Sequence, residues 1–463
     1  MRKLLLALCL PALVLAIHDQ QWFDVNNWLI PFINDGRFGF DPTIGTGEAG
    51  GSWPQPYRNK YVFGAGPWVG ARLGPDTLVS MGYNPNSGGS EFTPVLVRYW
   101  RQGTGNPRDR IYTYPGDWPP SRTRFPMAPT EPTGEMTMWM CFCDSEPANH
   151  VEPGRPIGID VYLTVFGWNR PRAEDIVFLE YDLVNPGDSD LDSVYFGPVF
   201  DPDIGAHGDD MYGLILDRLF SIEGDTIRVQ NVAFAYDYDN YEIRNSRQQW
   251  DSGCPGAVAL KLLSAPQGLG LSAVKKFTID IDPTTDREQY LTMAGFDYRT
   301  GVYDPFDSID LDPADKRFLM SSGPFTIPAR SQVTACYALI ASPFGAWQQP
   351  PEDRDTNDLA LRCHWADSIY DRLLAVDETG PSPLARPLRA LPGIALQGGV
   401  IRISGTTGPT CIYDLCGVLV RKLKGTDPAW DLRDLQGRTV RTGVYLVRDS
   451  SDRSCRVVVV SGR

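Results

Sequence analysis

The stretch Pro156-Ile157-Gly158-Ile159-Asp160-Val161-Tyr162-Leu163-Thr164-Val165-Phe166-Gly167-Trp168 decides the fold. Ile157, Ile159, Val161, Leu163 and Val165 recur at every second position, the period that lines one face of a β-strand and not that of a helix. Runs of similar character flank it at Glu135–Cys143, Asp175–Val184 and Asp192–Phe200. Asn185-Pro186-Gly187-Asp188 separates the last two with residues that favour tight turns. Successive strands joined this way predict an antiparallel β-sandwich.

Working outward, Ile17 to Pro120 is rich in Gly, Pro, Asn and aromatic residues, with short strand-like runs at Lys60–Phe63, Trp68–Leu73, Thr77–Met81 and Val95–Trp100. A proline-rich connection, Gly116–Pro132, then suggests sub-regions 17–120 and 133–376 within a main domain spanning 17–376. Two helices interrupt the β pattern. Thr285-Asp286-Arg287-Glu288 reads as a capping box opening a helix to about Ala294. Asp355–Leu374 places Leu359, Cys363, Ala366, Ile369, Tyr370 and Leu373 on one stripe. Residues 377–392, with Pro381, Pro383, Pro387 and Pro392, read as a linker, and Gly393–Arg463 as a second, compact β module.

Composition narrows the class. Of 463 residues, 45 are Gly and 39 Pro without any period, and 42% are hydrophobic, which excludes collagen and wholesale disorder and supports more than one core. Against 57 acidic residues stand 43 basic ones, a net charge of −14, so general nucleic-acid binding is excluded. Arg2-Lys3, an apolar run from Leu4 to Leu15 and the small residue Ala16 read as a signal peptide over residues 1–16. No later stretch has the apolar length of a spanning helix, so the expected mature chain is exported, without a transmembrane segment. Eight cysteines remain after Cys9 leaves with the leader, and an even number in an exported chain permits disulfides, with Cys411 or Cys416 to Cys455 the favoured bridge. No C-x-x-C pair occurs and the chain has only 4 histidines, which argues against a tetrahedral zinc site.

The terminal module carries the most specific pattern. Tyr413, Asp414 and Gly417 fall on a strand and its turn, and Trp430, Asp431, Asp434, Gly437, Gly443 and Tyr445 follow in order. As a set these residues resemble the C-terminal sorting domain of cargo proteins of the type IX (Por) secretion system. The resemblance covers roughly the last sixty residues and implies a small immunoglobulin-like β-sandwich that serves as an address read by outer-membrane secretion machinery. This chain shortens the family's entry to Leu391-Pro392-Gly393 and its basic end to Arg456 and Arg463. An ordinary immunoglobulin-like tail, as in flagellar-hook capping proteins, shares the strand-and-turn pattern. In the main domain, Asn34–Gly39, Gly51–Pro54, Gly66–Ala71, Glu91–Pro94, Asp201–Gly205 and Arg317–Phe325 resemble blocks of large uncharacterised exported proteins that carry the same tail, which brings no activity with it.

The sharpest chemical candidate is Asp201-Pro202-Asp203-Ile204-Gly205-Ala206-His207-Gly208-Asp209-Asp210. Asp201, Asp203, Asp209 and Asp210 on a glycine-containing loop suit a hard cation such as calcium, with Asp237 and Asp239 as further donors if the strands pair. Gly205 and Tyr212 break the EF-hand pattern, and a solvated acidic turn has the same composition. The acidic run Asp304–Asp315 reads as a solvated loop. No HExxH, G-x-S-x-G or phosphate-cradling glycine loop is present, so no catalytic residue is assigned. Trp53, Tyr57, Trp68, Trp100, Tyr112, Tyr114 and Trp118 lie in turn-rich sequence, where a ring either stacks on a sugar or anchors a loop to the core. The expectation is therefore a mainly β, exported, structural or binding protein of the cell surface, with a glycan or protein partner. The alternative is a carbohydrate-active enzyme or glycan-binding module using the same secretion route.

Overall fold

The computed structural model describes residues 18–41, 48–57, 59–102, 105–151, 153–222, 224–239, 255–308, 310–343, 356–377, 389–391, 394–396, 399–404, 410–414, 419–424, 428–448 and 454–460. Residues 1–16, expected to be a signal peptide, and Gly417, Cys416 and Cys254 lie outside them. The chain forms two compact units, Met1–Ser368 and Ile369–Arg463. It is mainly β, as the alternating runs predict, and the first unit is a two-sheet sandwich.

One sheet has eight strands in the order Asp210–Ile222, Asp225–Asp237, Ala257–Ser264, Gln332–Ser342, Ile176–Val184, Asp160–Gly167, Met136–Cys143 and Tyr112–Tyr114. The other has six: Ala273–Phe277, Arg317–Ile327, Leu191–Pro202, Lys60–Leu73 and Gly51–Ser52 in order, with Asp76–Met81 paired to Lys60–Leu73. Ile157, Ile159, Val161, Leu163 and Val165 all enter the central core, as their alternation requires. Tyr181 and Tyr337 of the larger sheet meet Phe196 of the smaller one, with ring centroids 5.2 and 6.3 Å apart. Burying a core of this size is the main favourable term of folding, at about 25 cal/mol per Å² of apolar surface.

Both sheets are also covered on their outer faces. Leu96, Phe125 and Ala128 lie over Tyr112, Trp139, Cys141 and Tyr162, so the proline-rich connection is a cover and not a boundary. Tyr290 and Met293 of the Asp286–Met293 helix lie over Trp68, Val79, Tyr83 and Leu319. Sub-regions 17–120 and 133–376 are therefore not separate: strands from both pair within each sheet.

Three local expectations are corrected. Lys60–Leu73 is one strand where two runs were expected, because Gly64 and Gly66 are extended-strand residues selected by close packing. A Cβ on Gly64 would stand 2.3 Å from the Tyr83 ring, and one on Gly66 would stand 2.6 Å from the Gly82 backbone. The Val95–Trp100 run is a helical turn at Val97–Trp100, whose first N–H is satisfied by donation from Val97 N to Asp160 Oδ1 at 2.7 Å. The long helix spans Asn357–Asp377, and Arg389–Leu391 already pairs with Ile401–Ser404, so the terminal β structure begins within the expected linker. The capping box is present, with Thr285 and Glu288 each bonding the other's backbone.

The second unit contains a three-stranded sheet, Arg389–Leu391, Ile401–Ser404 and Ala429–Trp430, and a five-stranded one, Ile394–Leu396, Ser454–Val460, Gly443–Arg448, Thr410–Asp414 and Leu419–Leu423. Its core includes Ile401, Ile403, Ile412, Trp430, Leu432, Tyr445, Val447 and Val457. Cys411 carries a free thiol, which removes it from the favoured bridge, and Cys141, Cys143 and Cys363 carry free thiols as well.

Candidate metal centre and terminal motif

Strand register assembles the acidic centre. In the ladder between Leu191–Pro202 and Arg317–Ile327, Phe200 faces Phe318, so Asp201 and Arg317 meet one step further on. Arg317 Nε donates to Asp201 Oδ2 at 3.2 Å, and the Tyr83 hydroxyl donates to the same oxygen at 2.7 Å. Tyr83 reaches it because Asp201 pairs with Gly64, whose missing side chain admits the ring. The chain then leaves the sheet at Pro202, and Asp203 N donates to Tyr61 O at 3.2 Å. Gly205, at φ 65°, turns it back in a conformation that glycine adopts without strain. Ile204 N donates to Asp210 Oδ2 at 3.3 Å where the next strand begins.

One carboxylate oxygen each from Asp201, Asp203 and Asp315 lies within 4.8 Å of the others. Burial pushes the Asp201 carboxyl up to about 7, against the pull of Arg317. Burial also pushes Asp203 well up, and the charges of Asp201 and Asp315 push it further. Asp210 is raised by burial, then by Asp203 and by Asp237, which faces it across the Asp210–Asp237 ladder pair. Asp282, ahead of the capping box, is pushed up to about 6 by burial and then held back by Arg317. Charges removed from water in this number favour either protonation or a bound cation.

Of the four acids singled out in the sequence, Asp201 and Asp203 converge, and Asp210 joins them through the charge of Asp203. Asp209 instead responds to burial, Asp239 and His207. Asp315 was missed, since the run from Asp304 to Asp315 reads as solvated. In fact Asp307 pairs with Lys275 at 2.6 Å and Asp310 with Lys276 at 2.5 Å, which fastens the run to the sheet. Asp315-Lys316-Arg317 offered one signal: strand alternation puts Asp315 and Arg317 on one side.

The aromatic candidates are mostly anchors. Trp53 and Trp68 are buried and donate to Asp175 Oδ1 and Tyr83 O, both at 2.7 Å. Tyr112 is buried, Trp100 donates to Glu146 at 3.3 Å and Trp118 to Thr130 O at 3.0 Å, whereas Tyr57 and Tyr114 are exposed. A surface cleft of about 250 Å³ lies among Lys275, Phe296, Tyr298 and Asp307. Three carboxylates line it, Asp297, Asp304 and Asp307, of which Asp297 is ion-paired with Arg299 and Asp307 with Lys275.

In the terminal unit, Trp430 is fully buried and its ring meets Tyr445 edge-on at 5.3 Å. Trp430 Nε1 donates to Arg433 O at 3.0 Å and Tyr445 donates to Arg441 O at 2.8 Å. Asp434 Oδ1 accepts from the backbone of Gln436 and Arg438, both at 2.9 Å, and Gly437 at φ 77° completes the turn. Asp431 is exposed and accepts from Arg433 N at 3.2 Å. Tyr413 and Asp414 pair with Leu446 and Tyr445, three and two residues past Gly443 at the start of that strand.

The fold defines the class, a two-sheet antiparallel β protein followed in the sequence by a small β unit. No protein-family model and no curated protein matches the chain. Among solved structures, a polysaccharide lyase aligns with 96% of this chain and 46% of its own, about half its length, at 7% identity and a TM-score of 0.24. The Slr1438 protein from Synechocystis sp. PCC 6803 aligns over 73% of this chain and 99% of its own at 10% identity and a TM-score of 0.28. The adhesin domain of Epf from Streptococcus pyogenes aligns over 71% and 92% at 8% identity and a TM-score of 0.14. At such scores these likenesses carry no functional weight. Among the described residues no helix is long and apolar enough to cross a membrane.

Proposed function

We propose that this chain is an exported structural or binding protein of the cell surface, whose large sandwich is the working part and whose terminal unit is a type IX secretion address. The observation that carries the reading is the terminal unit itself. Trp430 and Tyr445 anchor a core of its own, and Asp434 and Gly437 shape an exposed turn from the residues that carry the sorting resemblance. A filled core between the sheets, with the aromatic candidates largely used as anchors, favours a scaffold or binding surface over an enzyme. The partners on this reading are the secretion machinery and a surface glycan or protein. The experiment is removal of residues 389–463 with the location of the remainder followed. The truncated chain should fold and stay inside the cell envelope; delivery to the surface or medium at the full-length level would reject the address.

A further inference from the structure

We propose that Asp201, Asp203 and Asp315 bind one divalent metal ion, calcium by the chemistry of its donors, at the end of the six-stranded sheet. The inference is independent of the export reading. Its first support is geometric: two oxygens on one calcium, each about 2.4 Å from it, lie at most about 4.8 Å apart. The three carboxylates converge within that distance. Its second support is an unfilled valence. Asp201 is 1% exposed; Oδ2 is taken by Tyr83 and Arg317, whereas Oδ1 accepts no hydrogen bond. A buried acceptor without a partner is costly, the more so when charged, so such an atom calls for a ligand.

Charge balance is the third support. Among the described residues, Asp201 and Asp315 both pair with Arg317, so the three converging carboxylates share that cation and carry an excess of formal negative charge. Asp282 is 5% exposed and neither of its oxygens accepts a hydrogen bond. A divalent ion removes most of that excess. Oxygen donors alone, without histidine or thiolate, select a hard cation, and ligands drawn from separate segments suit the irregular coordination of calcium better than the strict octahedron of magnesium. Arg317 then acts as a positioning residue, holding Asp201 through Nε, and Asp315, with 28% of its side chain exposed, stands at the entrance.

The test uses the full chain stripped with a chelator and titrated calorimetrically with calcium chloride, then with magnesium chloride, alongside thermal melting. Calcium should bind saturably and raise the sandwich melting temperature by several degrees, and magnesium should bind at least about tenfold more weakly. Asp203→Asn should abolish both calcium responses, while its metal-free form melts no lower than the stripped parent because a repelling charge is gone. Asp315→Asn, at the more exposed rim, should weaken calcium binding about tenfold or more and covers the case in which Asp203→Asn fails to fold. Asp188→Asn, remote and exposed, should change nothing. Absence of calcium binding up to about 10 mM, or unchanged binding in Asp315→Asn, would overturn the site. Equal binding of magnesium would overturn the assignment to calcium.

Discussion

The two units each build a turn around aspartates, and they complete it differently. In the terminal unit, Asp434 finds its donors within four residues, in the backbone of Gln436 and Arg438 and in the Arg438 side chain. In the sandwich, Asp201 finds Tyr83 and Arg317, 118 and 116 residues away, and still leaves one oxygen unpartnered. A turn closed by its own neighbours is structurally finished. A group of buried acids brought together by strand pairing and left short of cations is poised to take a ligand.

The largest effect that could break this contrast is in the terminal core. Trp430→Ala should cost about 3–5 kcal/mol, close to the whole margin of so small a unit. Calorimetry should then show the terminal transition lost and the sandwich transition kept; a single transition lowered as a whole would mean that the units are not energetically separate. If Trp430→Ala melts like the parent, the ring is a recognition surface and not a core residue.

A second test uses pH. Asp160, buried under the Val97 turn, is pushed up to about 7 by burial. Between pH ~4, where the unfolded carboxyl ionises, and pH ~7, the folded form keeps a proton that the unfolded form has released. The sandwich should therefore lose stability as pH rises through that window, by roughly 2–4 kcal/mol at most from this group. Asp160→Asn should flatten the slope, and denaturant midpoints measured at several pH values in chelator would read it. An unchanged slope would mean that Asp160 ionises normally.

Tyr83→Phe is smaller. It removes one of two donors to Asp201 Oδ2 and should lower stability by about 1–3 kcal/mol in chelator. No loss would imply that water or a shifted Arg317 replaces the hydroxyl. Asp434→Ala should have the smallest effect, a modest drop in the terminal melting temperature alone. Burial pushes the Asp434 carboxyl up, and the bonds from Arg438 outweigh it and hold it below its usual range. Its contribution should accordingly be present above pH ~4 and disappear as pH falls below that, opposite in sign to Asp160.

The sandwich was legible because Ile157 to Val165 alternate without interruption, and such a run buries one face in any β architecture. The covers were not, because Tyr162 and Phe166 on the opposite face are also buried, and nothing in a single strand states which loop will lie over it. Gly64-Ala65-Gly66-Pro67 misled for a related reason: glycine selected by a neighbour's bulk has the same letter as glycine selected for a turn. The acidic centre was half legible. Asp201 and Asp203 announce themselves locally, whereas Asp315 arrives through the register between Leu191–Pro202 and Arg317–Ile327, which Asp201 and Asp203 do not encode.

That register also governs time. The Leu191–Pro202 strand lies between Lys60–Leu73 and Arg317–Ile327, so the smaller sheet has no centre until a chain of more than 250 residues has come together. Loop closure over such spans precedes any reward from pairing, which makes for refolding in milliseconds to seconds or slower. A polypeptide whose central sheet closes late stays extended for longer, and its N-terminal third cannot finish the smaller sheet alone. The order of strands thus acts as a delay, written into connectivity instead of into any one residue.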